Sequence, residues 1–259
     1  MSMQIIDWKE FLSRPVKSAI TIGVFDGLHL GHMELLRRII KRGPNPTVIT
    51  FRENPRKRIA GDTFEGEIFS LGQKLTAFEN LGLDRIVLID FSEEFCKIKG
   101  RDFIDLLEES GKMAYLAIGD DFRCGYMQDT GADTIREINE GKGIPTEIVS
   151  PLSLAGGPVS SSRIRSAIIS GDLKLAAILM GRNLELDLSG LKPVRLKSGG
   201  FQSGGLSYDL REVQRVIPAQ GSYPVLLYPA GKKAASKEVA FFEDGKIFLP
   251  EKAESIEFI

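Results

Sequence analysis

Five short runs of β-branched and other apolar residues recur along the first 151 positions: SAITIGVF (18–25), TVITF (47–51), DRIVLID (84–90), MAYLAIG (113–119) and TEIVSP (146–151). Near-continuous apolar runs of this length suit strands of a parallel sheet covered on both faces. Between them the apolar positions recur with helical period. Residues 33–42 put Leu35, Leu36, Ile39 and Ile40 on one face, with Arg37, Arg38, Lys41 and Arg42 elsewhere. The stretch 70–82 opens with Ser70 and Gln73 in capping-box spacing and closes on Gly82. Helices are also expected over 100–111, 133–141, 160–171 and 172–181. Strand alternating with helix predicts an α/β fold, an open doubly wound parallel sheet of Rossmann-like form.

The texture changes after Gly181. Residues 190–231 are rich in Gly, Ser and Pro, and the alternating stretches YPVLLYP and KIFLP stand where helices would otherwise continue. This predicts a small antiparallel β domain. The expected organisation is therefore 1–182 for the α/β domain and 183–259 for the β domain.

Composition narrows the functional classes. The 259 residues are 42% apolar and 27% charged with a net charge of −1, so nucleic acid would gain no general counterion-release advantage. No apolar run approaches the roughly 20 residues of a membrane span, and the first residues show no secretory pattern. Cys96 and Cys124 stand alone, outside any zinc spacing, as two thiols in a reducing cytoplasm would. The expectation is a cytoplasmic protein with no nucleic-acid or membrane partner and no dedicated metal site. Its oligomeric state is open.

Both histidines of the chain fall in GVFDGLHLGH, residues 23–32, between the first strand and the first helix. In an open α/β sheet that turn faces the ligand edge. Gly23 and Gly27 let the backbone bend and approach a ligand. The helix start offers unpaired N–H groups and a partial positive charge, which favour an anion. His29 and His32, three apart, point the same way from a helical first turn and titrate near neutrality. A phosphate site is one reading; helix capping, packing or metal binding are others. Neither G-x-G-x-x-G nor a P-loop occurs anywhere. The run SSSRIR (160–165) likewise gathers hydroxyls and guanidiniums at a helix start, where simple capping is the other reading.

In order, these stretches resemble a known family. GVFDGLHLGH resembles the H-x-G-H signature of nucleotidyltransferases. VITFRENPRK resembles T-F-x-x-H-P, with Asn54 where His is usual. LAIGDDFRCG resembles G-x-D-F-R-F-G, with Cys124 replacing an aromatic, and VSSSRIR followed by a helix pair and MGR resembles I-S-S-T-x-I-R followed by L-G-R. Together they resemble the bacterial FAD synthetases, the FMN adenylyltransferase module of bifunctional riboflavin kinase/FMN adenylyltransferases, over about 18–182.

The resemblance implies a nucleotidyltransferase-type sheet and a reaction of FMN with ATP, assisted by Mg²⁺, giving FAD and pyrophosphate. It implies His29, His32 and Arg165 as catalytic residues. ATP would meet Gly23, Phe25, Asp26, Gly31, Ser161, Ser162 and Arg163; the flavin would meet Phe51, Asn54, Pro55, Asp121, Phe122 and Arg123. Another H-x-G-H transferase, or an inactive flavin- or nucleotide-binding protein, remains the alternative. In such relatives a riboflavin kinase β-barrel with a P-T-A-N stretch follows. Residues 183–259 contain no P-T-A-N, although IPAQGSYPVLLYP (217–229) resembles its P-x-G-x-Y strand entry. The expectation is a barrel-like domain without kinase activity.

Overall fold

The computed structural model describes residues 3–196, 205–229 and 234–259. Two compact units emerge: Met1–Asp62 with Lys74–Leu152, and Thr63–Gln73 with Ser153–Ile259.

The first unit is built on six strands: β1 (Gln4–Asp7), β2 (Ser18–Ile22), β3 (Thr47–Phe51), β4 (Arg85–Ile89), β5 (Met113–Gly119) and β6 (Thr146–Val149). Every pairing is parallel, in the order β1-β4-β3-β2-β5-β6. The five apolar runs became β2 to β6. β2 and β4 are buried along their whole length, as strands covered on both faces must be. Helices of this unit include α1 (Trp8–Ser13), α2 (Leu30–Arg42), α3 (Pro55–Ala60), the larger part of α4 (Leu71–Asn80), α5 (Gly100–Glu109) and α6 (Ala132–Glu140), besides a single turn at Glu93–Cys96. One continuous core joins Ile20 and Ile22, Ile49, Val87, Leu116 and Ile118 of the strands to Phe11, Phe103, Ile104, Leu107 and Ile135 of the helices. Each such side chain contributes about 1.5–3 kcal/mol when fully buried. The doubly wound parallel sheet is therefore present as expected.

The second unit contains α7 (Ser161–Ile169), α8 (Leu173–Met180) and a seven-stranded antiparallel sheet. Its strands are β7 (Glu185–Asp187), β8 (Val194–Arg195), β9 (Leu206–Asp209), β10 (Gly221–Tyr228), β11 (Ser236–Glu243), β12 (Lys246–Leu249) and β13 (Ser255–Phe258). The order is β7-β13-β10-β11-β12-β9-β8, and the sheet curls as a half-barrel. Period-2 alternation puts Val225, Leu227, Ala240, Phe242, Ile256 and Phe258 inside. Phe242 and Phe258 stack at 5.8 Å, with Tyr223 edge-on to both. Of the Gly- and Ser-rich stretch 190–231, residues 197–204 and 230–231 lie outside the described residues.

Contacts divide the chain elsewhere than at 182/183. α7, α8 and residues 63–73 cluster with the C-terminal sheet, and hydrogen bonds of Arg165, Glu67 and Ser70 run within that unit. Several short elements escaped the pattern, α1 and the helical turn Glu93–Cys96 among them. β1 is four residues long, with Ile6 buried and Ile5 exposed, and α3 is a six-residue helix without a buried side chain.

Candidate active site

From β2 the chain steps outward through β3 and β4, then crosses back to β5 on the other flank of β2. The carboxyl ends of β2 and β5 thus border the crevice where the strand order reverses, the ligand position of open α/β sheets. Residues 23–29 follow β2, and residues 120–123 follow β5.

The turn after β2 is tightly wound. Phe25, Gly27 and Leu28 have φ of 54°, 75° and 39°, a left-handed conformation that costs the two non-glycine residues about 1–3 kcal/mol each. Packing holds the strain in place. The Phe25 ring is fully buried, edge-on to Phe78 at 5.7 Å and to His32 at 5.1 Å. A Cβ on Gly23 would come within 3.2 Å of that ring, so the position suits glycine. The Val24 carbonyl accepts from the Thr50 hydroxyl at 3.1 Å and from the buried Lys74 ammonium at 3.0 Å. Lys74 was not foreseen; its only signal is a lysine four residues before Phe78 on the buried face of α4.

His29 is the N-cap of α2. Its Nδ1 accepts from the His32 backbone N–H at 3.2 Å, and the two imidazoles stack at 3.6 Å and 14°. An accepting Nδ1 leaves the proton of the neutral ring on Nε2, so Nε2 is the donor His29 can offer a ligand. Gly31 occupies the first turn of α2, and Asp26 is buried in the preceding loop. The observed role of His29 is thus to cap α2.

Asn54 caps α3 through its side-chain oxygen, which accepts from the Arg56 N–H at 3.0 Å, and Pro55 follows at the first helical position. Both line a cleft of about 590 Å³ at the carboxyl ends of β3 and β4, with Arg52, Arg58, Asp90 and Phe91. Phe51 does not line it; its ring meets Phe91 edge-on at 5.7 Å. Beyond β5, Asp121 and Arg123 are exposed, and Arg123 Nε donates to the Gln128 carbonyl at 3.0 Å. Phe122 and Cys124 pack on the core of the unit. Burial, with the Asp129 charge, pushes the Cys124 thiol up to about 12.

In the second unit Ser160 caps α7, accepting from the Arg163 N–H at 3.2 Å, and Ser161 and Ser162 form the first turn. Four carbonyls take up the Arg163 guanidinium: those of Leu154 at 2.7 Å, Gly157 at 2.9 Å, Pro158 at 3.3 Å, and Ala155. Its observed work is to hold that hairpin. Arg165 is buried, with Nε donating to the Gly66 carbonyl at 3.0 Å. Among the described residues, no group of three or more His, Cys, Asp or Glu side chains could hold a metal ion. None of their helices is long and apolar enough to cross a membrane.

The FAD synthetase family model matches residues 12–163, which include the His turn, the 119–125 segment and the start of α7. The chain belongs to the FAD synthetase family. A bifunctional riboflavin kinase/FMN adenylyltransferase from Pseudomonas fluorescens is 29% identical over 213 residues, 79% of this chain and 66% of the relative. One from Buchnera aphidicola is 27% identical over 170 residues, 64% and 54% of the two chains. The chain thus spans between half and two thirds of these relatives. A solved structure described as a macrolide-efflux protein from Streptococcus pneumoniae superposes with a TM-score of 0.80 at 21% identity, over 99% of this chain and 89% of that one. At that identity it bears on the fold alone, and it has the fold of this FAD synthetase family member.

Proposed function

We propose that this chain transfers the adenylyl group of ATP to FMN, forming FAD and pyrophosphate, and does not form FMN from riboflavin. The stacked His29–His32 pair at the N-terminus of α2, beside the crevice of the sheet, is the observation that carries the reading. Family membership and the names of the relatives supply the substrates.

An FMN phosphate oxygen attacks the α-phosphorus of ATP, and the bond to the β-phosphate bridging oxygen breaks as pyrophosphate leaves. The attacking oxygen is already anionic, so no general base is required. Catalysis rests on alignment and on neutralising the charge that grows on the leaving group. The α2 N-terminus and the His29 Nε2–H supply fixed donors at low reorganisation cost, and His32 acts beside them. Gly23, Phe25, Asp26 and Gly31 shape this phosphate turn. By the motif, Ser161, Ser162 and Arg165 bind ATP phosphates, while the Arg163 guanidinium is committed to its hairpin.

Asn54 and Pro55, with Phe51 behind Phe91, form the flavin side, together with Asp121, Phe122 and Arg123. Mg²⁺, carried in on the ATP oxygens, would neutralise part of their charge. We assign catalysis to 1–182, the β domain to 183–259, and the protein to the cytoplasm.

Purified protein mixed with FMN, ATP and Mg²⁺ should yield FAD and pyrophosphate in equal amounts by chromatography and phosphate assay. No FAD at high enzyme concentration would overturn the proposal.

A further inference from the structure

Arg165 is 3% exposed, and the acceptor of its Nε, the carbonyl of Gly66, lies 99 positions earlier in the chain. Gly66 has φ +102°, in the region that favours glycine, and a Cβ there would stand 2.6 Å from the backbone carbonyl carbon of Arg215. The next residue is locked to the same turn. The Glu67 N–H donates to the Gln214 carbonyl at 2.9 Å, and the Val216 N–H donates to the Glu67 carbonyl at 3.0 Å. Arg215 closes the arrangement, its Nη1 reaching Glu67 Oε2 at 2.9 Å and the Phe69 carbonyl at 3.3 Å. Farther along the segment, the Ser70 hydroxyl donates to Asp187 of β7 at 2.7 Å.

We infer that Gly66 and Arg215 are positioning residues for ATP: the Gln214–Val216 turn places the Gly66 carbonyl, and that carbonyl sets the plane of the Arg165 guanidinium. The inference rests on the adenylyltransferase reading and gives the C-terminal unit a task within it. An arginine is a selective phosphate ligand only when its planar fork is aimed, because both parallel N–H···O bonds depend on orientation. Anchoring Nε fixes that plane before the nucleotide arrives, which reduces the ordering cost at binding. Only a glycine allows the anchor, since any side chain at 66 would enter the 214–216 backbone. The Arg215 side chain is partly buried, and its Nε has no hydrogen-bond partner among the described residues, so it is a poor device for stability alone. Its Nη1 contacts to the Gly66 segment are what it provides.

The test compares Mg²⁺–ATP and FMN dissociation constants, together with melting temperature, across five variants. Arg215→Met and Gly66→Ala should weaken ATP by roughly 10- to 100-fold, the scale on which displacing a positioning group by about 1 Å acts, and leave FMN binding unchanged. Arg215→Lys keeps a charge opposite Glu67 and should recover part of the ATP affinity. Tyr208→Phe removes a buried hydrogen bond to Ala253 in the same unit and should lower the melting temperature without touching ATP affinity. If Gly66→Ala fails to fold, the two Arg215 variants decide. Wild-type ATP affinity in Arg215→Met, or equal losses for ATP and FMN, would overturn the inference. If Arg165→Ala itself binds ATP as wild type does, the adenylyltransferase placement of Arg165 fails instead.

Discussion

His29 caps α2 with one ring nitrogen, and the proposed donor role can be separated from that cap. Nδ1 caps α2, and the proposed donor role falls on Nε2. Asparagine is an equally good cap, since its side-chain oxygen accepts the same N–H, but it has nothing corresponding to the far ring nitrogen. His29→Asn should therefore keep the wild-type melting temperature and lower kcat by roughly 10²–10³, the loss typical of one transition-state donor. Wild-type turnover in a folded His29→Asn protein would reduce the histidine to a cap. H-x-G-H was legible as a motif at the turn after the first strand, and the structure shows His29 there as the helix cap. Lys74 was not, because a lysine on a helix surface reads as solvated until packing shows Phe78 buried beside it. Arg163 was legible only as a charge near serines; its carbonyl acceptors lie on a hairpin that residues 153–158 do not announce.

The helix behind the histidines is fastened to the sheet by a polar cluster. Arg38 of α2 bonds Glu34 one turn back and Glu147 of β6, and the Tyr115 hydroxyl of β5 donates to Glu147 at 2.6 Å. The Tyr115 hydrogen bond, with the Arg38 guanidinium beside it, holds the Glu147 carboxyl below its ordinary value of 4.5 against some desolvation. A depressed carboxylate stabilises the fold above its unfolded value, and that contribution is lost as pH falls through the folded value. The melting temperature should thus drop more steeply below about pH 4.5 in wild type than in Glu147→Gln, whose amide does not titrate. Parallel curves would detach Glu147 from acid stability. α2 itself was legible from its apolar stripe, although Ile40, expected on that face, is 38% exposed at the edge. β1 and α3 were not, since four residues and six residues are too few for a period to show.

At the scale of the molecule, the strand–helix alternation made the parallel sheet legible, and period-2 stretches made the β unit legible. The grouping of residues 63–73 with 153–259 was not, because it depends on hydrogen bonds between positions about a hundred or more apart. The C-terminal unit keeps its curled sheet, yet residues 183–259 lack the P-T-A-N whose Thr and Asn the kinase resemblance assigns to phosphate and metal. Several of its carboxylates are engaged elsewhere. Asp209 is held down to about 2 by Arg211, which bonds it at 2.8 Å, and it caps the following turn. Glu257 accepts from Tyr228 at 2.8 Å and Asn183 at 2.9 Å. Phosphoryl transfer depends almost wholly on positioning and charge neutralisation, and on the proposed reading this sheet has no P-T-A-N cradle for a γ-phosphate. Riboflavin with ATP and Mg²⁺ should accordingly give neither FMN nor FAD, while the same preparation converts supplied FMN to FAD. Flavin products that scale with enzyme concentration in the riboflavin reaction, and persist through independent purifications, would show that this chain phosphorylates riboflavin without P-T-A-N.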